Sequence, residues 1–238
     1  MIRLNKYISN SGVCSRREAD VLISEGKIKI NNQVVTALGT KVNKEDIVIY
    51  NGKILKAENH KYILINKPKN CITTVKDTHE RKTVMDIIEG VCDERLYPVG
   101  RLDRDTTGLL LMTNDGELTT RLTHPSFGIK KKYVIQLENS IHPDSLKEMV
   151  KGIQLDDGEV KYDDVIYGSQ QTDRTQLIVT LHSGKNRVIR RTMEYFDKTL
   201  LHLDRIEFAG IKKGNLQRGN WRFLDPKEVG YLKMTKSR

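Results

Sequence analysis

Residues 99–108 read Val99-Gly100-Arg101-Leu102-Asp103-Arg104-Asp105-Thr106-Thr107-Gly108, and the apolar run Leu109-Leu110-Leu111-Met112-Thr113 follows directly. A short apolar run that begins after a glycine predicts a buried strand. Polar side chains beside such a strand must be hydrogen-bonded or face a cleft, because burying them unpaired costs several kcal/mol. The stretch therefore predicts a polar loop at the mouth of a buried sheet, a common location for functional residues.

The two aspartates of this loop, Asp103 and Asp105, allow three interpretations. The loop is a purely structural network of ion pairs, or the two carboxylates bind a metal, or one carboxylate acts as a nucleophile or base. The metal interpretation is weakened because no third acidic or histidine ligand stands nearby in the sequence. The residues by themselves leave all three open.

Apolar periodicity divides the rest of the chain into two unequal parts. In residues 62–238 it predicts strands at 62–66, 109–113, 133–137 and 176–181 and helices at 143–151 and 186–195. Residues 1–56 predict a small unit of two short helices followed by hairpins, one of them around Asn51-Gly52. The polar residues 57–61 predict a linker, so the expected fold class is α+β with two domains.

The second predicted helix begins with Ser15-Arg16-Arg17-Glu18, a capping-box pattern in which serine and glutamate bond free amides of the first turn. Arg16 and Arg17 oppose the helix dipole, whose positive end favours acids by about 0.3–1 kcal/mol. A phosphate bound among these cations and amides would explain them, with Arg3, Lys6 and Lys27 on the same side. A solvated basic helix end is the alternative, and the sequence leaves both open.

The charge balance favours a polyanionic partner, because 41 basic residues against 31 acidic ones give a net charge of +10. The three cysteines, Cys14, Cys71 and Cys92, form no disulfide or zinc pattern. The N-terminus lacks the apolar run of a signal peptide, and no segment approaches the roughly 20 apolar residues of a membrane span. We therefore expect a cytoplasmic protein that binds nucleic acid and no membrane.

Two further basic runs carry candidate site residues. The run Lys185-Asn186-Arg187-Val188-Ile189-Arg190-Arg191 predicts a helix with its three arginines on one side. One arginine facing Asp103 would keep that carboxylate ionised. Lys130-Lys131-Lys132 leads into Tyr133, and a tyrosine beside cations suits stacking on an extruded base. A solvated basic face and an ordinary core tyrosine are the alternatives.

The chain resembles two known families. Residues 1–50 resemble an S4 RNA-binding domain, through Arg3-Leu4-Asn5-Lys6-Tyr7-Ile8, Ser15-Arg16-Arg17-Glu18-Ala19 and Gly26-Lys27-Ile28-Lys29-Ile30-Asn31. The rest resembles the RsuA/RluB family of ribosomal RNA pseudouridine synthases, through Gly100-Arg101-Leu102-Asp103, Thr107-Gly108-Leu109-Leu110 and Thr113-Asn114-Asp115-Gly116. Supporting matches are Asn66-Lys67-Pro68, Lys132-Tyr133, Asn186-Arg187-Val188-Ile189-Arg190-Arg191 and Gly219-Asn220-Trp221-Arg222.

The resemblance implies a catalytic domain with a central, mainly antiparallel sheet that isomerises uridine to pseudouridine in ribosomal RNA, with no cofactor and no metal. It implies that Asp103 is the catalytic carboxylate, that Tyr133 stacks on the target base, and that Arg190 pairs with Asp103. Two departures from the family pattern are Lys69-Asn70, where glycine often follows Lys-Pro, and Val188, where glutamine is common. The resemblance and the basic runs together indicate the following candidate RNA-binding residues: Arg3, Lys6, Ser15, Arg16, Arg17, Lys27, Arg101, Lys131, Lys132, Lys185, Arg187 and Arg191.

The expected partner is structured ribosomal RNA, either naked or within an assembling subunit, bound by a monomer. Residues 77–87 and 122–126 resemble the branch that acts on the large subunit more than the small-subunit branch. The main rival function is a non-catalytic S4-type assembly factor. Others are a metal-dependent RNA-cleaving enzyme that uses Asp103 and Asp105, and an S4-linked methyltransferase, which lacks support because no glycine-rich loop is present.

Overall fold

The computed structural model describes residues 1–168 and 174–235, so residues 169–173 and 236–238 lie outside the description. Its contacts divide the chain into two compact units. The first contains Met1–Lys61 together with Asp93–Arg95 and Asn114–Gly116. The second contains Tyr62–Cys92, Leu96–Thr113 and Glu117–Arg238.

The first unit contains the predicted helix pair followed by short strands, and one further strand, β1, precedes the helices. Its elements are β1 (Ile2–Arg3), α1 (Leu4–Asn10), α2 (Arg16–Ser24), β2 (Ile28–Ile30), β3 (Gln33–Val35), β4 (Lys41–Val42), β5 (Val48–Tyr50) and β6 (Lys53–Ile54). The capping box is confirmed, because the Ser15 side chain accepts from the Glu18 amide while the Glu18 carboxylate accepts from the Ser15 amide. Leu4 and Ile8 of α1 pack against Ala19 and Ile23 of α2 in one buried cluster.

The hairpin prediction at Asn51-Gly52 is also confirmed. Both residues have positive φ, 48° and 75°, as a type I′ turn requires. The turn joins β5 to β6, and the four strands of this sheet follow the order β3-β2-β5-β6. Ile28 and Val48 of this sheet are fully buried and complete the core of the unit.

The second unit is built on a large mixed sheet. Its strands are β7 (Tyr62–Lys67), β8 (Tyr97–Pro98), β9 (Thr107–Thr113), β10 (Lys131–Leu137), β11 (Ile153–Leu155), β12 (Gly158–Val160), β13 (Asp164–Tyr167), β14 (Gln176–Leu181), β15 (Leu200–Phe208), β16 (Ile211–Lys212) and β17 (Trp221–Phe223). Its helices are α3 (Gly116–Thr123), α4 (Pro143–Lys151), α5 (Val188–Tyr195) and α6 (Pro226–Lys233), and Pro125–Phe127 forms a 3₁₀ turn.

The main path of the sheet runs β13-β14-β10-β15-β9-β7-β17, with β16 on β15 and β8 on β9. The pair β15–β9 is parallel, and the other pairs named here are antiparallel. The expectation of an α+β domain with a mainly antiparallel sheet is confirmed. Helix α5 begins at Val188 rather than Asn186, and α3 and α6 were not predicted from the sequence.

Strands β7 and β9 are buried along nearly their whole length and have apolar central runs, because the sheet is covered on both faces. Ile63 and Ile65 belong to one buried cluster with Leu110, while Leu64 belongs to a second cluster with Leu109. Successive side chains of a strand point to opposite faces, so each continuous apolar run supplies two cores. Among the described residues, no helix combines the length and apolar character needed to cross a membrane.

Candidate active site

The polar loop of residues 100–106 joins β8 to β9 and is held from beneath by two buried side chains. The hydroxyl of Thr73 donates to the carbonyl oxygen of Leu102 at 2.8 Å. Lys67 is fully buried, and its ammonium group donates to the carbonyl oxygens of Arg104 at 3.2 Å and Cys71 at 2.6 Å. Burial lowers the pKa of Lys67 to about 8. The loop is thus fixed on both sides of Asp103.

Asp103 lies at a pocket and faces two arginines. Its Oδ2 atom is 3.5 Å from Nε of Arg190 and 3.9 Å from Nη1 of Arg187. Nε of Arg190 has no hydrogen-bond partner among the described residues, although a second nitrogen of the same guanidinium lies 3.5 Å from the Thr106 hydroxyl. Catalytic hydrogen bonds are often long before substrate binds and shorten in the complex. The pairing of Arg190 with Asp103 that the resemblance implied therefore has the required proximity.

Arg187 occupies an unusual backbone position just before α5. Its φ of 47° and ψ of 28° are left-handed, and its side chain does not cap the helix. Left-handed conformations of residues other than glycine cost of order 1–3 kcal/mol and cluster at functional sites. Here the conformation turns the arginine toward Asp103.

Strand β10 contributes Lys131 and Tyr133 to the pocket. Tyr133 is 8% exposed, and Lys131 donates to the carbonyl oxygens of His182 at 3.0 Å and Ser183 at 3.3 Å. Lys132 does not line this pocket but borders a separate concavity beside Ile178 and Lys213. Neighbouring residues of a strand face opposite ways, so the pocket receives only alternate members of the predicted basic run.

The predicted arrangement of three arginines on one side of the helix is wrong for Arg191. Both terminal nitrogens of its guanidinium contact the Asp157 carboxylate at 2.9 Å, and its side chain does not line the pocket. Lys185 does line the pocket, yet its ammonium donates to the Asp157 carbonyl at 2.7 Å. Because α5 starts only at Val188, the sequence spacing of Arg187 and Arg191 does not describe a common helical face.

The candidate residues of the first unit lie partly at the start of α2. Arg16 and Arg17 are exposed there, and Ser15 is engaged in the helix cap. Arg3 is exposed before α1, Lys6 is half-buried within it, and Lys27 pairs with Glu25 at 2.7 Å. In the second unit, Arg101 is exposed and lines the pocket of Asp103.

Several residues of the site were not predicted from the sequence, among them Arg205, Phe208 and Lys67. Arg205 and Phe208 line the pocket from β15, and Lys67 holds the loop through its hydrogen bond to the carbonyl oxygen of Arg104. The sequence did contain one signal, because Arg205 stands two residues after Leu203 and therefore at an inward position of the strand.

The metal interpretation finds no ligand set in the part of the chain that the structure describes, where no three His, Cys, Asp or Glu side chains are grouped to hold an ion. Asp105 is exposed and does not line the pocket with Asp103. The two loop carboxylates therefore have different environments: Asp103 faces the cationic pocket, and Asp105 faces solvent.

A carboxylate among arginines and lysines, in a pocket that a tyrosine also lines, fits an enzyme that acts on a polyanionic substrate. Comparison with known proteins identifies the family. The family described as RNA pseudouridylate synthase matches residues 61–195, and the S4 domain matches residues 2–48. The chain belongs to the RNA pseudouridylate synthase family, whose members isomerise uridine to pseudouridine, and carries an S4 domain at its N-terminus.

Two relatives matched over nearly their full length agree with this assignment, and one solved structure shares the fold. The chain is 39% identical to ribosomal large subunit pseudouridine synthase B of Bacillus subtilis, over 98% of this chain and 96% of that protein. It is 40% identical to an uncharacterized RNA pseudouridine synthase of Aquifex aeolicus, over 97% and 93% of the two chains. A crystal structure of a pseudouridylate synthase shares the fold, with a TM-score of 0.69 at 24% identity over 98% of this chain and 100% of that one.

Proposed function

We propose that this enzyme converts one uridine of large-subunit ribosomal RNA to pseudouridine, with Asp103 as the catalytic carboxylate. The observation that carries the proposal is the position of Asp103, 3.5 Å from Arg190 in a pocket that Tyr133 also lines. The named activity of the Bacillus subtilis relative supports large-subunit RNA as the substrate. Release of tritium from RNA labelled at uridine C5 tests it, because C5 loses its hydrogen when it becomes bonded to the sugar.

The proposed reaction needs no group beyond those of the pocket and the RNA. The bond between N1 of the base and C1′ of the sugar breaks, the base turns, and C5 bonds to C1′. C5 then gives up a proton and N1 gains one, so the product is an isomer of the substrate. Asp103 acts on the sugar or the base, Arg190 orients its carboxylate from 3.5 Å, and Tyr133 stacks on the extruded uracil.

The cations outside the pocket interior supply binding and position. Extruding a nucleotide costs a few kcal/mol, and phosphate contacts offset this cost without reading sequence. Arg101 and Arg187 line the pocket with side chains open to solvent, and Arg16 and Arg17 supply contacts from the S4 domain. The proposal includes a monomer in the cytoplasm that acts on naked RNA or on an assembling subunit.

We expect Arg190→Met to slow the reaction at saturating RNA by about 10²-fold, because removing one charge-stabilising donor from an active site has an effect of that size. Arg190 is mostly buried, with 16% of its side chain exposed, so RNA affinity should change little. Single-turnover tritium release, together with filter binding, separates the two effects. Lys147→Met is the matched control, since it removes an exposed cation paired with Asp144 on α4. A loss of affinity with an unchanged rate would contradict the role given to Arg190.

We expect the double variant Arg16→Gln/Arg17→Gln to weaken RNA binding and to reduce its dependence on salt. Each lost phosphate contact lowers the magnitude of the slope of log affinity against log salt by about 0.7–0.9, so two lost contacts lower it by about 1.4–1.8. Lys53→Gln, at the exposed hairpin of the same unit, is the control. An unchanged slope would leave Arg16 and Arg17 as a solvated helix end.

A further inference from the structure

Arg205 is a buried cation whose guanidinium is only partly satisfied. It is 2% exposed, and its Nε donates to the carbonyl oxygen of Leu109 at 2.7 Å. Its Nη2 atom is buried and has no hydrogen-bond partner within the described ranges 1–168 and 174–235. A buried polar group without a partner costs about 1–3 kcal/mol, and more when the group is charged. The arrangement therefore suits a ligand that brings an acceptor to Nη2.

The backbone of β15 directs Arg205 into the pocket of Asp103. The register with β10 shifts between Lys132 and Tyr133, so that Tyr133 lies opposite Arg205 while Lys132 lies opposite Glu207. Such bulges re-aim side chains next to active sites. As a result both Arg205 and Phe208 line the pocket, with the guanidinium carbon 4.6 Å from the centre of the Phe208 ring.

A second cation, the half-buried Lys131, stands near Arg205. Burial, together with the Arg205 guanidinium, lowers the pKa of Lys131 to about 8. The ammonium of Lys131 is already bonded to the carbonyl oxygens of His182 and Ser183. The pocket thus holds its carboxylate, Asp103, near Arg190 and Arg187, and is also lined by two further cations, Arg205 and Lys131. Because the cations outnumber the single carboxylate, the pocket favours negative charge on the group that it binds.

We propose that Nη2 of Arg205 donates a hydrogen bond to a carbonyl oxygen of the target uracil and stabilises the negative charge that the base acquires during the reaction. This inference rests on the proposed function. When the N1–C1′ bond breaks, its electron pair stays on the base, whose two carbonyl oxygens share the charge. When a carboxylate adds to the base instead, the charge again reaches a carbonyl oxygen. The charge disappears when C5 bonds to C1′, C5 loses its proton and N1 gains one.

Depth favours the base over a phosphate as the group that Arg205 contacts. The side chain of Arg187 is 48% exposed, as expected of a cation that meets the RNA backbone, whereas Arg205 is almost fully enclosed. The RNA backbone continues on both sides of the target nucleotide, and its charged phosphates favour the solvent-exposed rim of the pocket. An extruded base is a planar end group and can enter farther.

The test measures Arg205→Met in single-turnover reactions and in binding. The substrate is a synthetic RNA hairpin that carries the uridine converted by the wild-type enzyme. We expect the rate at saturating RNA to fall about 10²–10³-fold, the usual effect of losing one donor to a developing anion, while Arg205→Lys keeps an intermediate rate. A rate within the range of the Lys147→Met control would overturn the proposal.

A binding comparison distinguishes the base contact from a phosphate contact and from a structural role. In the Asp103→Asn background, affinity is measured for the hairpin and for the same hairpin lacking the target base. A contact to the base predicts that Arg205→Met removes part of the difference between the two RNAs. Equal losses for both RNAs with a reduced salt slope would indicate a phosphate and overturn the proposal, as would an unchanged difference.

Thermal unfolding of each variant separates these results from a loss of the fold, and Arg205→Lys stands in if Arg205→Met does not fold. The inference and the proposed function fail in different ways. If wild-type protein releases no tritium, the function is wrong. If wild type is active and neither Arg205 variant differs from it in rate or in the two-hairpin comparison, only the role of Arg205 is wrong.

Discussion

Asp103→Asn should reduce tritium release from ribosomal RNA by about 10⁴-fold or to background, the upper end of what one acid–base group contributes. Asparagine has nearly the same shape but can neither accept a proton nor attack as an anion. The Asp103 side chain is 37% exposed and held by no short hydrogen bond from the residues that the structure describes, so the fold should tolerate the change. The assay is run with EDTA present, which removes divalent metal from the reaction.

Asp105→Asn is the matched control, because it removes the same charge from the same loop. Asp105 is exposed and does not line the pocket, so its variant should release tritium at close to the wild-type rate. The opposite pattern, in which EDTA or Asp105→Asn stops the reaction while Asp103→Asn does not, would support a metal-dependent site. No release by wild type on naked RNA or on assembling subunits would instead favour the non-catalytic assembly factor.

Gly108→Ala should be the most destabilising small substitution in the second unit. A Cβ atom at this position would lie 2.3 Å from the carbonyl oxygen and 2.4 Å from the amide nitrogen of Arg205. Both atoms belong to the neighbouring strand β15, where Arg205 is the register partner of Gly108. The φ of Gly108 is also +108°, a region that residues with a side chain rarely adopt.

We expect Gly108→Ala to cost about 4 kcal/mol or more, the range reached when a core backbone contact is broken. For a chain of this size the midpoint of thermal unfolding should fall by roughly 10 °C or more. Gly230→Ala is the matched control: Gly230 lies in α6, where an added methyl group would meet open space among the described residues, and alanine in a helix is favoured by about 0.5–1 kcal/mol. Equal melting temperatures for the two variants would contradict the close approach of β9 to β15.

The local features of the fold could be predicted from the sequence because they depend on neighbouring residues. The capping box needs only Ser15 and Glu18, and the hairpin turn needs only Asn51 and Gly52. The continuous apolar run of β9 identified a central strand, and the polar loop before it identified the position of Asp103. In each case the deciding interaction spans a few residues, so the pattern in the chain already contains it.

The rest of the site depends on contacts between distant strands. Phe208 joins Arg205 at the pocket because β15 shifts its register against β10, and Lys67 reaches the loop because β7 pairs with β9. The spacing of Arg187 and Arg191 suggested a shared helical face, but the left-handed backbone at Arg187 delays the start of the helix to Val188, and Asp157 binds Arg191. Neither a register shift nor a distant acidic partner is visible in the local sequence.

The core contacts of the two units become available at different times while the chain is being synthesised. The buried cluster of the first unit lies between Leu4 and Leu55, so its contacts are available once a short N-terminal length has emerged. The pocket cannot form before β15 is synthesised, because Gly108 pairs with Arg205. Strand β7 finds its second neighbour only when Trp221 of β17 is synthesised. Contacts this far apart in sequence form slowly, and domains fold as units from the N-terminus. A nascent chain can therefore present its S4 domain to RNA well before it has a catalytic centre.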